Sequence, residues 1–527
     1  MSCLVAEVSS LSLTLIMYLF SAFSHSHHVD RQTVFVSVSR FYVRGIAVPA
    51  EQSHVTGTND FQVLILGGGV AGVMAAETLH HRGIDNFKII EARSVLGGRM
   101  KNFLFGVPGR QYVLELGADW IHGTQANNGP SNPIFDLARK HNLSTQPNHY
   151  RGSMTIDYMQ TFNDAVENFA ALTVGGGERI LRGLVDTTTR SGYSLLGAKP
   201  RTPHEIASEY YQFDWEYAQT PEQSSWLASS WANNFTFNSG QGGFSTENLL
   251  TIDQRGFASI IQSEAAEFLS KEQVLFNATV KTIKYSNDRV SVSLSDGSSL
   301  SADYALVTFS LGVLQHDGIS FEPALPTWKS EAIHGMAMGT YTKIYLQFPE
   351  KFWFDTEFAL YADHERGWYP VWQSLDMDGF FSGSGILFVT VTGDFSKRIE
   401  SLSDEAVKEE VLTVLRSMYP NATIPEPDAF YFPRWLSDPL YRGSYSNWPS
   451  SFLKSHHTNL RATVDRRLWF GGEATSLKYF GYLHGAYYEG QKMAEEIAHC
   501  IESAVCVGLP HVEEISSSHP YIASDFI

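Results

Sequence analysis

A short apolar run closed by three spaced glycines constrains this chain more than any other feature of its 527 residues. Phe61-Gln62-Val63-Leu64-Ile65-Leu66 has the composition of a buried parallel strand. Gly67, Gly69 and Gly72 follow at the G-x-G-x-x-G spacing. Val73 to Leu79 is then rich in helix formers and stops at His80-His81-Arg82-Gly83. A second strand, Phe87-Lys88-Ile89-Ile90, delivers Glu91 roughly twenty residues beyond the last glycine. The glycines permit a tight turn and let the backbone approach a pyrophosphate. The helix start offers unpaired N–H groups and the positive end of its dipole. A carboxylate at the end of the second strand can accept hydrogen bonds from ribose hydroxyls. The glycine spacing alone is a weak signal. Strand, helix, second strand and acid in one register predict a dinucleotide-binding α/β unit.

Composition sets the limits around this unit. With 43% hydrophobic and 18% charged residues the chain is globular, and long enough for two domains sharing a large interior. A net charge of −18 argues against nucleic acid as a partner and is compatible with a cationic substrate. Leu11 to Phe23 is apolar but too short to span a bilayer, so no stable membrane span is expected. It reads as a secretory segment cleaved near Ala22-Phe23-Ser24, making residues 1–24 a signal peptide, although Glu7 precedes the run and no Lys or Arg does. Sequons at Asn142, Asn234, Asn277 and Asn421 fit export. If the run is not a signal, the alternative address is cytoplasmic or peroxisomal.

Residues 25–60 form an N-terminal extension in which Val34-Phe35-Val36-Ser37-Val38 could add a strand. Cys3 would leave with the signal, while Cys500 and Cys506 could form one small-loop disulfide. No Cys/His spacing suggests a metal, and Ser26-His27-His28 reads as a solvated segment.

Helical spacing recurs at Ile134–Asn142, Phe162–Ala171, His204–Tyr217 and from Asp253 to about Leu269. Strands are expected at Val274–Phe276, Val280–Tyr285, Val290–Leu294 and Ala305–Phe309, with Asp296-Gly297 as a hairpin turn. Tyr341 to Pro433 is rich in strands and aromatics. Leu468-Trp469-Phe470 again runs into glycines, and Gly485 to Ile501 supplies a closing helix.

The continuation past Glu91 narrows the reading. Glu91-Ala92-Arg93 leads to Leu96-Gly97-Gly98-Arg99, then to Leu114-Glu115-Leu116-Gly117-Ala118-Asp119-Trp120. This resembles the flavin-dependent amine oxidase superfamily, within it most closely the polyamine oxidases, over most of Phe61 to Cys500. The resemblance implies an α/β fold, a Rossmann-like FAD-binding domain interleaved with a mixed-sheet α+β substrate-binding domain. The FAD-binding parts would be 61–137, 250–312 and 456–505, the substrate-binding parts 138–249 and 313–455, and the tail 506–527. It also implies FAD held non-covalently, since no cysteine lies between Glu473 and Tyr488. Gly67, Gly69, Gly72, Glu91, Arg99, Ala118, Trp120, Val280, Trp435, Glu473, Tyr482 and Leu483 would contact the cofactor, with Arg99 as pyrophosphate counter-charge.

The same resemblance assigns chemistry. Tyr341-Thr342-Lys343-Ile344-Tyr345-Leu346-Gln347 alternates, so Tyr341, Lys343, Tyr345 and Gln347 share one face. On pattern alone Lys343 is an ordinary solvated lysine. In the family, a lysine in this position holds a water against flavin N5, and desolvation would favour its neutral form. Tyr482 and Tyr445 match the two walls of an aromatic cage, and Tyr341 lies beside them. Glu216 matches a tunnel carboxylate that would pair a distal ammonium, or is a surface helix acid. His122 occupies a tunnel position held by glutamate in secreted plant enzymes and leaves the cleavage side open.

The reaction implied is oxidation of a secondary amine of spermidine or spermine, with O2 as the second substrate and H2O2 as a product. Oxidation of another amine (a monoamine, an amino acid or methyl-lysine) and a non-catalytic binding protein on the same fold are the alternatives. Oligomeric state is not legible.

Overall fold

The strand, turn and helix of the glycine motif form where the pattern predicts. In the computed structural model, which describes residues 60–147, 158–503 and 505–513, Phe61–Leu66 is a strand and Val70–His81 a helix. Val63 to Leu66 are fully buried. The strand is flanked by parallel partners, Phe87–Ile90 on one side and Ser299–Val307 on the other. Near-continuous apolar sequence is what a strand covered on both faces requires.

These three are the centre of an eight-stranded sheet. Its hydrogen-bonded order is Ser320–Glu322, Val280–Tyr285, Val290–Leu294, Ser299–Val307, Phe61–Leu66, Phe87–Ile90 and Val274–Leu275, with Leu468–Phe470 also pairing Ser299–Val307. Residues from the start, middle and end of the chain therefore build one sheet. The closing helix, Leu483–Ser503, lies against Val70–His81. A Cβ on Gly490 would sit 2.2 Å from the Ala71 carbonyl oxygen, so only glycine permits that approach.

A second, five-stranded antiparallel sheet runs Phe358–Leu360, Val371–Ser374, Ile386–Thr392, Tyr341–Gln347, Ala429–Tyr431. On one face Ile344, Leu346, Val389 and Val391 pack on Val407, Val411, Leu412 and Leu415 of helix Asp404–Met418. The other face turns Lys343, Tyr345 and Gln347 towards the segment 106–117. Tyr345 Oη donates to the Glu115 carbonyl at 2.7 Å, and Gln347 Nε2 donates to the Arg110 carbonyl at 2.8 Å.

Several elements differ from expectation for identifiable reasons. The helix predicted over His204–Tyr217 is two: Pro203–Gln212 and Asp214–Tyr217, broken at Phe213. The break turns the Asp214 carboxylate to Arg366, whose Nε donates to Oδ2 at 2.9 Å. The helix expected from Asp253 begins at Ser259. Asp253 instead accepts from the Arg255 and Ser144 backbones at 2.8 and 2.9 Å, and Gly256 takes φ +83°, so the chain turns before the helix starts. Asp404–Met418 and Gly393–Glu400 are helices inside a stretch read as strands. Ser320–Glu322 joins the large sheet although 313–455 was assigned to the other domain.

Cys500 and Cys506 are bridged. The strand-like run Val34–Val38 and the signal segment lie outside the described residues. Among the described residues no helix is long and apolar enough to cross a membrane.

Candidate active site

A cleft of about 470 Å³ runs from the glycine turn to a group of aromatic side chains against the five-stranded sheet. All the predicted site residues line it except Gly72. Gly72 acts one step behind: a Cβ there would lie 2.0 Å from the Gly67 carbonyl oxygen, so its absence lets the helix seat on the turn. Gly67 itself has φ +119°, a conformation that side chains disfavour.

At the glycine end the lining is bare backbone. The helix Val70–His81 starts with no side-chain cap, leaving its first N–H groups facing the cleft beside Gly69 and Ala71. Such a helix start suits an anion. Glu91 is buried, its Oε2 accepting from Gly68 N at 2.8 Å and its Oε1 from Arg93 N at 2.8 Å. Each carboxylate oxygen keeps a second acceptor position for a ribose hydroxyl. Val280 lines the cleft beside Ala278 and Thr279. These features fit the phosphates, ribose and adenine of a dinucleotide.

Arg99 and Glu473 meet further along. Arg99 donates through one guanidinium nitrogen to Glu473 Oε1 at 2.8 Å and to the Ser444 carbonyl at 3.0 Å. Glu473 also accepts from Ser446 Oγ at 2.5 Å and Gly481 N at 2.8 Å. The pair therefore ties the glycine element at 471–473 to the segments that carry Tyr445 and Tyr482. The resemblance implies a cofactor contact for each separately; in the structure they are also each other's partner.

The aromatic end is built around Glu216. Tyr482 Oη donates to its Oε1 at 2.5 Å, and Tyr445 Oη donates to its backbone carbonyl at 2.9 Å. Both cage tyrosines are thus held by one residue, which rules out the surface-acid reading of Glu216. The Tyr341 ring centre is 6.0 Å from that of Tyr445, and the His122 ring lies edge-on to Tyr482 at 5.2 Å. Behind Tyr482, His484 stacks at 4.9 Å, and burial, then His122, push its imidazole well below the usual range. Burial and the Glu216 carboxylate both raise the Tyr445 and Tyr482 hydroxyls well above theirs. Both phenols therefore remain hydrogen-bond donors.

Lys343 is 2% exposed and borders the cleft, so it is not a solvated lysine. Its Nζ lies 2.6 Å from Asp119 Oδ2, 2.8 Å from the Gly117 carbonyl and 3.3 Å from the Glu115 carbonyl. The expectation of a desolvated, neutral amine took no account of a counter-ion, and Asp119 supplies one. Ala118, Trp120, Leu483 and Trp435 complete the walls. Asp119 and Arg93 also line the cleft, and each stands inside a motif that carries the family resemblance. Arg93 donates to the Gly98 carbonyl at 2.9 Å. A charged residue within an otherwise apolar, glycine-rich stretch was the available signal.

The family described as flavin containing amine oxidoreductase matches residues 70–498. Polyamine oxidase 1 of Zea mays is 35% identical over 490 residues, covering 87% of this chain and 94% of the relative. Polyamine oxidase 6 of Oryza sativa subsp. japonica is 34% identical over 486 residues, covering 86% and 94%. Among solved structures, putrescine oxidase bound to putrescine superposes with a TM-score of 0.66 at 18% identity, covering 83% of this chain and 99% of that one. Cyclohexylamine oxidase from Brevibacterium oxydans gives 0.64 at 18% identity, covering 84% and 100%. The chain belongs to the flavin-containing amine oxidoreductase family, with FAD as its cofactor.

Proposed function

We propose that this protein is a polyamine oxidase acting on a secondary amine of spermidine or spermine. The observation that carries the reading is the clasp at the aromatic end, where Tyr445 and Tyr482 both bond to Glu216. Polyamine oxidases among its relatives, matched over nearly their whole length, support it. An aromatic face attracts an alkylammonium, and a carboxylate beside it pairs a second one. Long polyamines supply both.

The bound flavin supplies acceptance of a hydride from the carbon next to nitrogen and delivery of two electrons to O2, which yields H2O2. The side chains do the rest. Tyr341, Tyr445, Tyr482 and His122 confine the chain so that one C–N segment is held in a fixed orientation for oxidation. Glu216 anchors a distal ammonium, and the reacting nitrogen has to be the neutral base for hydride to leave the adjacent carbon. Lys343 holds a water beside the reacting carbon, which serves hydrolysis of the substrate imine to an aminoaldehyde and a shorter amine.

The lining arginines, Arg93 and Arg99, are engaged to Gly98, Ser444 and Glu473. This weighs against an amino acid, whose carboxylate needs a free arginine. No cysteine lies between Glu473 and Tyr488, and Cys500 is bridged to Cys506, which supports non-covalent FAD.

The protein is secreted and glycosylated on this reading. The apolar N-terminal run, the Cys500–Cys506 bridge and exposed sequon asparagines at Asn142, Asn277 and Asn421 support it. Thr236 of the fourth sequon is wholly buried.

The test is product analysis from spermidine. Diaminopropane with an aminoaldehyde, or putrescine with one, would each support the reading and would identify the C–N bond cut. No product from spermidine or spermine with FAD-loaded protein would overturn it.

A further inference from the structure

The nitrogen of Lys343 has three close partners, and all three are acceptors: Asp119 Oδ2, the Gly117 carbonyl and the Glu115 carbonyl. With Asp119 as the carboxylate, a neutral amine, which has two N–H bonds and a lone pair, would turn that lone pair to one of these oxygens. An ammonium has three protons and satisfies all of them. Asp119 is 8% exposed, and its own backbone carbonyl accepts from Thr251 N at 2.9 Å, where the strand Trp120–His122 pairs with Asn248–Thr251. Its position is therefore set by the sheet.

We propose that Asp119 is a positioning residue for Lys343, holding it as a three-proton ammonium at the edge of the cleft and cancelling its charge towards a cationic substrate. The inference rests on the cleft being the site of amine oxidation. Lys343 then works as a fixed hydrogen-bond donor and not as a proton acceptor. Its longest bond, 3.3 Å to the Glu115 carbonyl, is the one to redirect towards a water, since Tyr345 Oη already satisfies that oxygen at 2.7 Å. With Lys343 and Asp119 mutually neutralised, the charge left to meet an incoming amine is that of Glu216.

Two measurements on the FAD-loaded enzyme test this. In protein carrying 15N-labelled lysine, the Lys343 Nζ resonance, identified by its absence from Lys343→Met, should show coupling to three protons. Coupling to two protons would overturn the inference. This readout does not depend on turnover, so it separates failure of the inference from failure of the polyamine reading. It also stands if Asp119→Asn does not fold.

The second is a double-mutant cycle. Asp119→Asn should lower kcat for spermidine about tenfold in the wild-type background, and less than about twofold in the Lys343→Met background. Equal losses in the two backgrounds would mean that Asp119 does not act through Lys343, and would overturn it.

Discussion

Replacing Gly72 with alanine tests whether the cofactor cleft depends on contact between the helix and the glycine turn. The added Cβ would lie 2.0 Å from the Gly67 carbonyl oxygen, against 3.4 Å for ordinary contact, so the two must separate by about 1.4 Å. Neither partner can swing away. Gly67 is backbone, fixed by hydrogen bonds from Thr308 Oγ1 at 3.0 Å to the Leu66 carbonyl and 3.1 Å to its own carbonyl. The helix is pinned from the far side by the closing helix through Gly490. Overpacking of this kind costs about 1–3 kcal/mol, and the roughly 1 kcal/mol that alanine gains in helix propensity offsets only part of it.

The larger effect falls on the cofactor, because the displaced turn carries the N–H groups that would hold its phosphates. Gly72→Ala should purify with less FAD, read as a lower 450/280 nm absorbance ratio, and should melt a few degrees lower. Gly177→Ala is the control. No atom lies within 4 Å of its would-be Cβ, in the helix Met159–Leu181. It should keep full FAD and gain about 0.5–1 kcal/mol. Gly72→Ala with wild-type flavin content and unchanged melting would refute the packing argument.

Three other substitutions read separate parts of the structure. Arg366 bonds Asp214 and Glu209 next to Glu216, and Arg366→Met should cost about 3–5 kcal/mol by leaving the buried Asp214 carboxylate without its guanidinium, whereas Glu209 keeps Arg190. Urea unfolding checks it, and a loss below about 1 kcal/mol would contradict it. Glu115 is pushed up to about 7 by burial, against an ordinary 4.5, so the folded state holds its proton more tightly than the unfolded one. Its contribution is fully present below pH 4.5 and is lost as pH rises towards 7. Relative to Glu115→Gln, wild-type stability should fall across that window by up to about 3 kcal/mol. A flat difference would contradict it. Lys343→Met should slow turnover while the 450 nm absorbance of bound FAD is retained, and an unchanged kcat would contradict the role given to Lys343.

Much of the nucleotide side was legible because local pattern and tertiary demand coincide there. Phe61–Leu66 and Phe87–Ile90 are strands at their predicted limits, since a doubly covered parallel strand has to be continuously apolar. Glu91 and the glycines likewise act through backbone geometry that spacing encodes. The helix Asp404–Met418 was missed although Val407, Val411, Leu412 and Leu415 recur at helical spacing behind Ser403, which caps it through Oγ. Its strand-rich neighbours set the reading of the whole stretch.

The site's charge pairs were illegible for a different reason. Lys343 and Asp119 are 224 residues apart, as are Arg99 and Glu473 by 374, so the pairing exists only after the sheets assemble. Resemblance supplied the lysine and the tyrosines one at a time. It did not supply the fact that Tyr445 and Tyr482 share Glu216.

The most direct test of the account is an anaerobic titration of the purified yellow protein with spermidine and spermine, followed at 450 nm. The account predicts that the flavin absorbance bleaches with either polyamine and returns on admitting O2, with one H2O2 released per flavin reoxidised. Protein that carries a full complement of FAD, yet keeps its 450 nm band unchanged in excess polyamine, would contradict it.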